Sequence, residues 1–409
     1  NECQAQLQHI HELECPVLED IDMIAKKSGT ERDLLCLLLR IICTKSCENN
    51  RPKPSISNTV VTTYKDLLNM VHVTHLLEDL WKVSVAKGAK MLLDNLPKSI
   101  ATMNVEELVE IAGRVNENSY SMDSWTDPPK LAAVCMFPLT GLINHSCDPN
   151  STWCNAGDGI VAVKATRFIP NGEEITLSYI DVNQSRDKRQ SELLKTKHFE
   201  CCCNRCAQPL SESIDRKVDG VCCTKCGVDG ILNITEDKTW ICSLCNTSVS
   251  NDIIQNLKSK SEANLAQAEK LFSNRQYKES LAFLADILSS NNATSVFLHP
   301  SHYIVTKALG HASDCSVKTG DILQSYEQLK QAIAQLSPVV NLNSPLMATC
   351  YYDLGNIIDV CLKHKSWSDE TTINAKQGEM NLAFKKCLEI RTVCFVPAHP
   401  LVAQVEKRI

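Results

Sequence analysis

The chain has 409 residues, of which 44% are hydrophobic and 22% are charged, and these values are ordinary for a globular protein. The composition excludes a disordered, collagenous or coiled-coil protein, and at roughly 100–200 residues per domain the length predicts two to four domains. The net charge of −6, from 42 basic and 48 acidic residues, provides no general attraction for nucleic acid, so we do not expect direct nucleic-acid binding.

The chain contains 22 cysteines, far more than packing requires. No stretch reaches the roughly 18 apolar residues that span a bilayer, so we expect no membrane partner. The first residues show no signal-peptide pattern, and we therefore expect a protein of the cytoplasm, the nucleus or both. In these reducing compartments, clustered cysteines bind metal ions more often than they form disulfides.

The first group of metal-ligating residues lies at the start of the chain, where Cys3, His11 and Cys15 follow a Cys-x7-His-x3-Cys spacing. Two interpretations remain open: part of a zinc site, or a helix that carries these side chains for other reasons. Residues 17–130 are predicted to be rich in helix, because Arg32–Ile42 and Leu77–Leu93 carry apolar residues at the i, i+3 and i+4 positions of a helix.

The middle of the chain carries a polar loop, Asn144-His145-Ser146-Cys147, which taken alone could serve a metal site or a nucleophile. A strand is predicted over Gly159–Ala165, and a second strand is predicted to end at Tyr179. The basic run that follows, which includes Arg186, Arg189 and Lys197, is predicted to be the solvated face of a helix.

Two further cysteine groups have the spacing of zinc sites. Cys201-x-Cys203-x2-Cys206 offers three ligands, one fewer than a closed structural site needs, so a fourth must come from elsewhere in the chain. The next group is two Cys-x2-Cys knuckles separated by two short predicted strands, which predicts a zinc ribbon rather than a pair of disulfides. The x2 spacing favours Cys223 over Cys222, and the ribbon ligands are Cys223, Cys226, Cys242 and Cys245.

Residues 251–409 show no clear strand signal and are predicted to be helical. Ala263–Leu288 is predicted to form two antiparallel helices, and Met347–Leu362 and Ala375–Ile390 two more. The pattern is compatible with degenerate tetratricopeptide (TPR)-like helix pairs, which stack into a superhelix whose concave side binds peptides. A domain that only packs against the core is an equal alternative.

The order Asn144–Asn150, then Gly172 to Tyr179, then Cys201 to Cys206 resembles the SET domain and its post-SET zinc loop, and the flanking regions resemble the SMYD subfamily. The resemblance implies an α+β multidomain protein: a β-rich SET core with a helical insertion, small zinc modules and an all-α, TPR-like C-terminal domain. The implied divisions are a remnant of a MYND-type zinc finger at 1–16, the insertion at 17–130, the core at 131–184, the post-SET loop at 185–210, the zinc ribbon at 211–250 and the helical domain at 251–409.

The resemblance also implies an S-adenosylmethionine (SAM)-dependent protein-lysine N-methyltransferase that acts on a lysine of a histone or another protein, with Zn²⁺ in its cysteine sites. Asn144 and His145 would contact SAM, Tyr179 would be the active-site tyrosine, and Phe199 would line the lysine channel or the adenine pocket. Cys147 would be the missing fourth zinc ligand. A Gly-x-Gly turn is expected upstream of Asn1, and Lys197 stands where such proteins have a channel tyrosine. The alternative is therefore a weakly active or inactive scaffold that binds protein partners.

Overall fold

The computed structural model describes residues 2–48, 60, 62–125, 131–157, 159–235, 237–289 and 296–409, and of residues 2–7, 131 and 132 it describes only the backbone. It consists of two compact units. The first, unit 1, comprises Asn1–Asn144, Asn155–Ala162 and Thr196–His198, and the second, unit 2, comprises His145–Cys154, Val163–Lys195 and Phe199–Ile409.

Unit 1 is mainly helical, as predicted for residues 17–130. Its helices and the strand pair that follows them are α1 Glu2–Leu18, α2 Ile21–Ser28, α3 Arg32–Ser46, α4 Tyr64–Leu68, α5 Asp79–Asp94, α6 Val105–Asn118, β1 Ser119–Asp123, β2 Leu131–Met136 and α7 Pro138–Gly141. Strands β1 and β2 pair antiparallel, with Tyr120 opposite Cys135.

Sequence signals set the helix ends in unit 1. Helix α2 ends at Gly29, whose φ of +79° lets its N–H reach Ala25 O. Helix α6 begins after Asn104, whose side chain accepts the Glu107 N–H at 2.8 Å. Helix α5 packs closely on α3, because a Cβ added at Gly88 would lie 2.8 Å from Leu35 Cδ2. These helices share one apolar core, in which Leu35, Leu38 and Leu39 of α3 are fully buried.

The hairpin of β3 Ser151–Gly157 and β4 Ile160–Ala165 is the only regular sheet found among the described residues between 142 and 185. The predicted strand that ends at Tyr179 is wrong, because Leu177 makes only an isolated parallel bridge with His145. Leu177 O accepts the Ser146 N–H at 2.9 Å and Thr176 O accepts the Ser151 N–H at 3.2 Å. The Asn150 side chain adds to these bonds, because it donates to Glu174 O at 2.8 Å and accepts the Thr176 N–H at 2.9 Å.

The rest of unit 2 begins with three short helices, α8 Arg186–Lys197, α9 Asn204–Ala207 and α10 Asp215–Val218, of which α8 ends in unit 1. The predicted ribbon is a three-stranded sheet of β6 Leu232–Ile234, β7 Trp240–Cys242 and β8 Ser248–Val249. Strand β5 Val221–Cys223 pairs antiparallel with β9 Val296–Leu298. Strand β9 was missed by the sequence analysis, which expected no strand after residue 251.

The remaining elements are the predicted helices, in antiparallel succession. They are α11 Asn251–Ser273, α12 Tyr277–Leu288, α13 Tyr303–Thr319, α14 Ile322–Leu336, α15 Pro345–Lys363, α16 Glu370–Cys394 and α17 Pro400–Glu406. Apolar residues of the ribbon, including Leu232 and Trp240, share one buried core with α11 to α14. The ribbon and the helices after it are thus one packing unit. None of the helices in the described part of the chain is long and apolar enough to cross a bilayer.

Candidate active site and its two thiol clusters

His145 links the polar loop to the segment that carries Tyr179. Its Nδ1 accepts the backbone N–H of Tyr179 at 3.0 Å, and its Nε2 lies 3.3 Å from Cys147 Sγ. Burial, reinforced by the charge of Arg189, lowers the pKa of His145 to about 4, so the ring is neutral at pH 7. Because Nδ1 is an acceptor, the proton is on Nε2 and points at the Cys147 sulfur.

Three aromatic rings meet beside this loop. The centroids of His145 and Tyr179 are 5.3 Å apart, those of His145 and Phe199 are 6.2 Å apart, and Tyr179 and Phe199 are 6.5 Å apart, edge to face. Burial and then the charge of Glu174 raise the pKa of the Tyr179 phenol, which keeps it protonated at neutral pH. This half-buried group of rings therefore presents one neutral hydroxyl and three aromatic faces.

Cys147 lies with the three post-SET cysteines, and we call this set the core cluster. Its ligand sulfurs all lie within 4.8 Å of one another. Cys147 Sγ is 3.9 Å from Cys201 Sγ and 3.5 Å from Cys206 Sγ. A tetrahedron with zinc–sulfur bonds of about 2.3 Å has sulfur–sulfur edges of about 3.8 Å, so the donor set fits Zn²⁺. Four soft sulfur donors at this spacing also match zinc chemically. The core cluster is Cys147, Cys201, Cys203 and Cys206.

The ribbon cysteines form a second set, which we call the ribbon cluster, and their sulfurs also lie within 4.8 Å of one another. Cys223 Sγ and Cys245 Sγ are 3.8 Å apart, again the edge of a zinc–thiolate tetrahedron. The neighbouring Cys222 is buried and its Sγ contacts Val228 O at 3.6 Å, outside the cluster. The ribbon cluster is Cys223, Cys226, Cys242 and Cys245.

The N-terminal candidates lie on α1, where His11 and Cys15 are exposed, and the side chain of Cys3 is outside the described residues. No metal-like group among the described residues contains His11 or Cys15. The zinc-finger assignment of this segment stays a prediction. The other candidate of unit 1, Asn144, is exposed.

Lys197 is half-buried in unit 1, where its Nζ donates to Glu117 O at 2.6 Å. Burial lowers the pKa of its ammonium group. The prediction that the basic run from Arg186 is a solvated face is wrong at Arg189, which is fully buried. The carboxylate that draws it inward, Asp215, lies 26 residues further on, so no local pattern reveals the contact.

Two large cavities are lined by described residues, one in each unit. The cavity in unit 1, about 820 Å³, is lined by α3, residues 62–67 and β2, and none of the predicted site residues line it. The cavity in unit 2, about 640 Å³, lies between the Cys147–Trp153 segment, residues 177–183 and the α14–α15 connection at 339–346. Only the second cavity borders the core cluster and the Tyr179 segment.

Comparison with known proteins agrees with this geometry. Residues 21–180 match the SET domain family. The chain is 26% identical over 262 residues to the Arabidopsis thaliana protein named histone-lysine N-methyltransferase ASHR1, covering 63% of this chain and 52% of that protein. It is 33% identical over 134 residues to the Drosophila melanogaster SET domain-containing protein SmydA-8, isoform B, covering 32% and 30%. It is 28% identical over 178 residues to human histone-lysine N-methyltransferase SMYD1, covering 40% and 35%.

The thiol-bound loop, the His145–Tyr179 contact and the family match define a SET-domain protein. Several relatives carry SMYD names, so the chain is similar to SMYD-type SET proteins. The chain spans about half or less of the length of the curated relatives described above.

Proposed function

We propose that the chain is a SAM-dependent protein-lysine N-methyltransferase. The observation that carries the proposal is the arrangement of His145, Tyr179 and Phe199 beside a loop bound to the core cluster. The cofactor, when bound, supplies an electrophilic methyl group on a sulfonium cation. Aromatic faces stabilise such a cation. Asn144, His145, Tyr179 and Phe199 are the residues we assign to cofactor binding.

The substrate amine must be neutral to attack, and a lysine amine has a pKa near 10.4 in water. A half-buried apolar site lowers that pKa by desolvation, and a neighbouring cation lowers it further. The neutral phenol of Tyr179 holds the amine in line with the methyl carbon, and such alignment can supply several kcal/mol of the barrier, up to about 7–11 in ideal cases. The transfer itself would need no general base: the substrate ammonium first loses its proton to water, the amine forms its bond to the methyl carbon as the carbon–sulfur bond breaks, and the product keeps its protons as an ammonium ion.

We place the protein substrate in the cavity of unit 2, because Ser178 and Ile180, the chain neighbours of Tyr179, line it; the Tyr179 side chain itself does not. The lining of the cavity is largely apolar, with asparagines at its edge: Asn341 donates to Thr166 Oγ1 and Asn343 to Thr166 O, both at 2.9 Å. Its charged lining residues balance, with Asp148 and Asp181 against Arg167 and Arg205, so charge alone does not select a basic segment. The target protein would present its lysine-bearing segment here. A separate peptide partner on the C-terminal helices stays a proposal without a contact to support it.

Tyr179→Phe tests the chemistry. We expect methyl transfer from labelled SAM to a mixture of proteins to fall at least 100-fold, while SAM affinity measured by calorimetry changes less than threefold. The variant removes one hydroxyl and leaves the ring contacts. A wild-type chain that binds no SAM and labels no protein would contradict the proposal.

The second candidate is an inactive scaffold that binds partners, and the observation that favours it is Lys197. An ammonium group in place of a channel tyrosine would repel both a sulfonium and a substrate that enters as an ammonium ion. Lys197→Tyr distinguishes the two functions. If the wild-type chain is a scaffold, only the variant gains SAM binding; if it is an enzyme, both bind SAM.

A further inference from the structure

A buried cluster of charged residues lies next to the core cluster. Asp215 has no exposed surface, and its carboxylate accepts hydrogen bonds from three arginines. Arg189 approaches at 3.0 and 2.7 Å, Arg205 at 2.9 and 2.7 Å, and Arg186 at 3.1 Å. Arg189 is fully buried and Arg205 is 7% exposed.

One carboxylate does not neutralise three guanidinium groups. Burial alone would raise the pKa of Asp215, but hydrogen bonds from Arg189 and the charge of Arg205 outweigh it and lower the pKa. The carboxyl is therefore ionised, and arginine does not deprotonate in proteins. The cluster has three positive charges and one negative, a surplus of two positive charges in a largely buried place. Uncompensated buried charge is strongly unfavourable.

Two of these arginines contact the core cluster, and the third, Arg186, donates to Arg205 O at 3.0 Å. Arg189 Nη2 is 3.8 Å from Cys206 Sγ, and Arg205 Nη1 donates to Cys147 O at 2.9 Å. The side chain of Gln190, next to Arg189 on α8, exchanges two hydrogen bonds with the backbone of Cys201. Zn²⁺ with four thiolates has a net charge of −2, equal and opposite to the surplus of the arginine cluster.

The ribbon cluster provides a contrast within the chain. Its Cys245 is exposed, and the Cys245 sulfur contacts Thr247 Oγ1 at 3.2 Å. Each cluster has two buried cysteines, Cys223 and Cys242 in the ribbon and Cys147 and Cys201 in the core, but only the ribbon cluster has an exposed member through which water can solvate the charge. A buried dianion needs counter-ions from the protein, and an exposed one does not.

We propose that Arg186, Arg189 and Arg205, oriented by Asp215, are the counter-ion shell of the core-cluster zinc and fix the loop that carries His145. They are positioning residues, because they act through the thiolates and the Cys147 carbonyl. The inference requires zinc in the core cluster and is independent of whether the chain transfers methyl groups.

The test is zinc release from the full chain to a chromophoric chelator, with two zinc ions per chain at the start. In Arg189→Met we expect one zinc to leave at least tenfold faster than in the wild type, while the other, in the ribbon, leaves at the wild-type rate. Arg189→Lys, which keeps the charge, should restore most of the retention. Lys195→Met is the matched control, because Lys195 is an exposed cation of the same helix.

A second readout is cobalt substitution. Loss of the counter-ion makes the thiolates better electron donors, so the sulfur-to-cobalt charge-transfer band of the core site should move to lower energy in Arg189→Met and return in Arg189→Lys. If Arg189→Met does not purify as a folded protein, Arg186→Met carries the same test, because that side chain is 21% exposed. Release rates and bands equal to those of the wild type in the tested arginine-to-methionine variant would overturn the proposal.

Discussion

The two thiol clusters have similar sulfur geometry but differ in how far apart their ligands lie in the sequence. Cys147 joins Cys201 across 54 residues, whereas Cys223 and Cys245 of the ribbon are 22 apart. A metal ion in the core cluster cross-links two distant segments and so determines the shape of the candidate active site. A metal ion in the ribbon cluster holds a local sheet that packs on the C-terminal helices. Similar donor sets can therefore position the loop of a candidate active site in one place and support packing in another.

The largest effect should come from removing a core ligand. Cys203→Ser is expected to reduce zinc from two ions per chain to one, and methyl transfer by at least 100-fold, because the loop under His145 loses its cross-link. Elemental analysis measures the zinc content, and transfer of labelled methyl groups to protein measures the activity. Cys202→Ser is the control, since Cys202 is exposed between two ligands and outside the cluster. A Cys203→Ser protein that still holds two zinc ions would break the comparison.

Cys223→Ser should instead destabilise unit 2. Structural zinc contributes directly to folding, and the ribbon shares its core with α11 to α14, so we expect a loss of about 3 kcal/mol or more in unfolding free energy. Denaturant unfolding and zinc content are the measurements. Cys222→Ser should keep both metals and cost about 1 kcal/mol. The reverse pattern would make Cys222 the ligand.

Gly230→Ala tests how tightly the ribbon cluster is packed. An added Cβ would lie 2.5 Å from Cys226 Cβ and 3.2 Å from Cys242 Sγ. We expect a loss of about 1–3 kcal/mol and faster release of the ribbon zinc alone. At Gly310 on α13, no atom lies within 4 Å of an added Cβ, so Gly310→Ala should be neutral or stabilising by up to about 1 kcal/mol. Equal effects of the two substitutions would contradict the close packing.

The smallest effect concerns acid stability at the strand that completes the ribbon. Burial, then Lys217, His302 and Arg216, lower the pKa of His299 to about 4. The folded state therefore resists protonation, so stability is present above pH 6.5 and is lost as the pH falls toward 4.

In His299→Asn, the new amide oxygen can replace Nδ1 as acceptor of the Ser301 N–H. The free energy of unfolding that the protein loses between pH 6.5 and 4 should then be smaller by about 1–2 kcal/mol, after allowance for screening. Unfolding at pH 7.5 and 5 measures the difference. An unchanged slope would show that His299 does not contribute to it.

Local patterns predicted much of the molecule. Apolar periodicity located α3, α5 and the C-terminal helices, and cysteine spacing anticipated the ribbon cluster. Contacts between residues that lie far apart in the sequence could not be predicted from these local patterns. The segment before Tyr179 has a strand-like sequence, but part of its backbone hydrogen bonding is to the side chain of Asn150, which lies 24 residues away from Glu174. Arg189 was predicted to face solvent, because nothing in its own helix indicates the contact with Asp215, which lies on α10. Cys147 was predicted as the fourth ligand only from the resemblance to a family, because spacing alone does not connect residue 147 with residue 201.

The pairing of β5 with β9 also affects how the protein is made. Val221 and Cys222 lie opposite Leu298 and Phe297, which emerge from the ribosome only after α11 and α12 have been synthesised. Until then, the edge of β5 that later pairs with β9 is open, and β5 carries the thiols of Cys222 and Cys223. A nascent chain halted before Val296 would therefore expose a strand edge prone to wrong pairing.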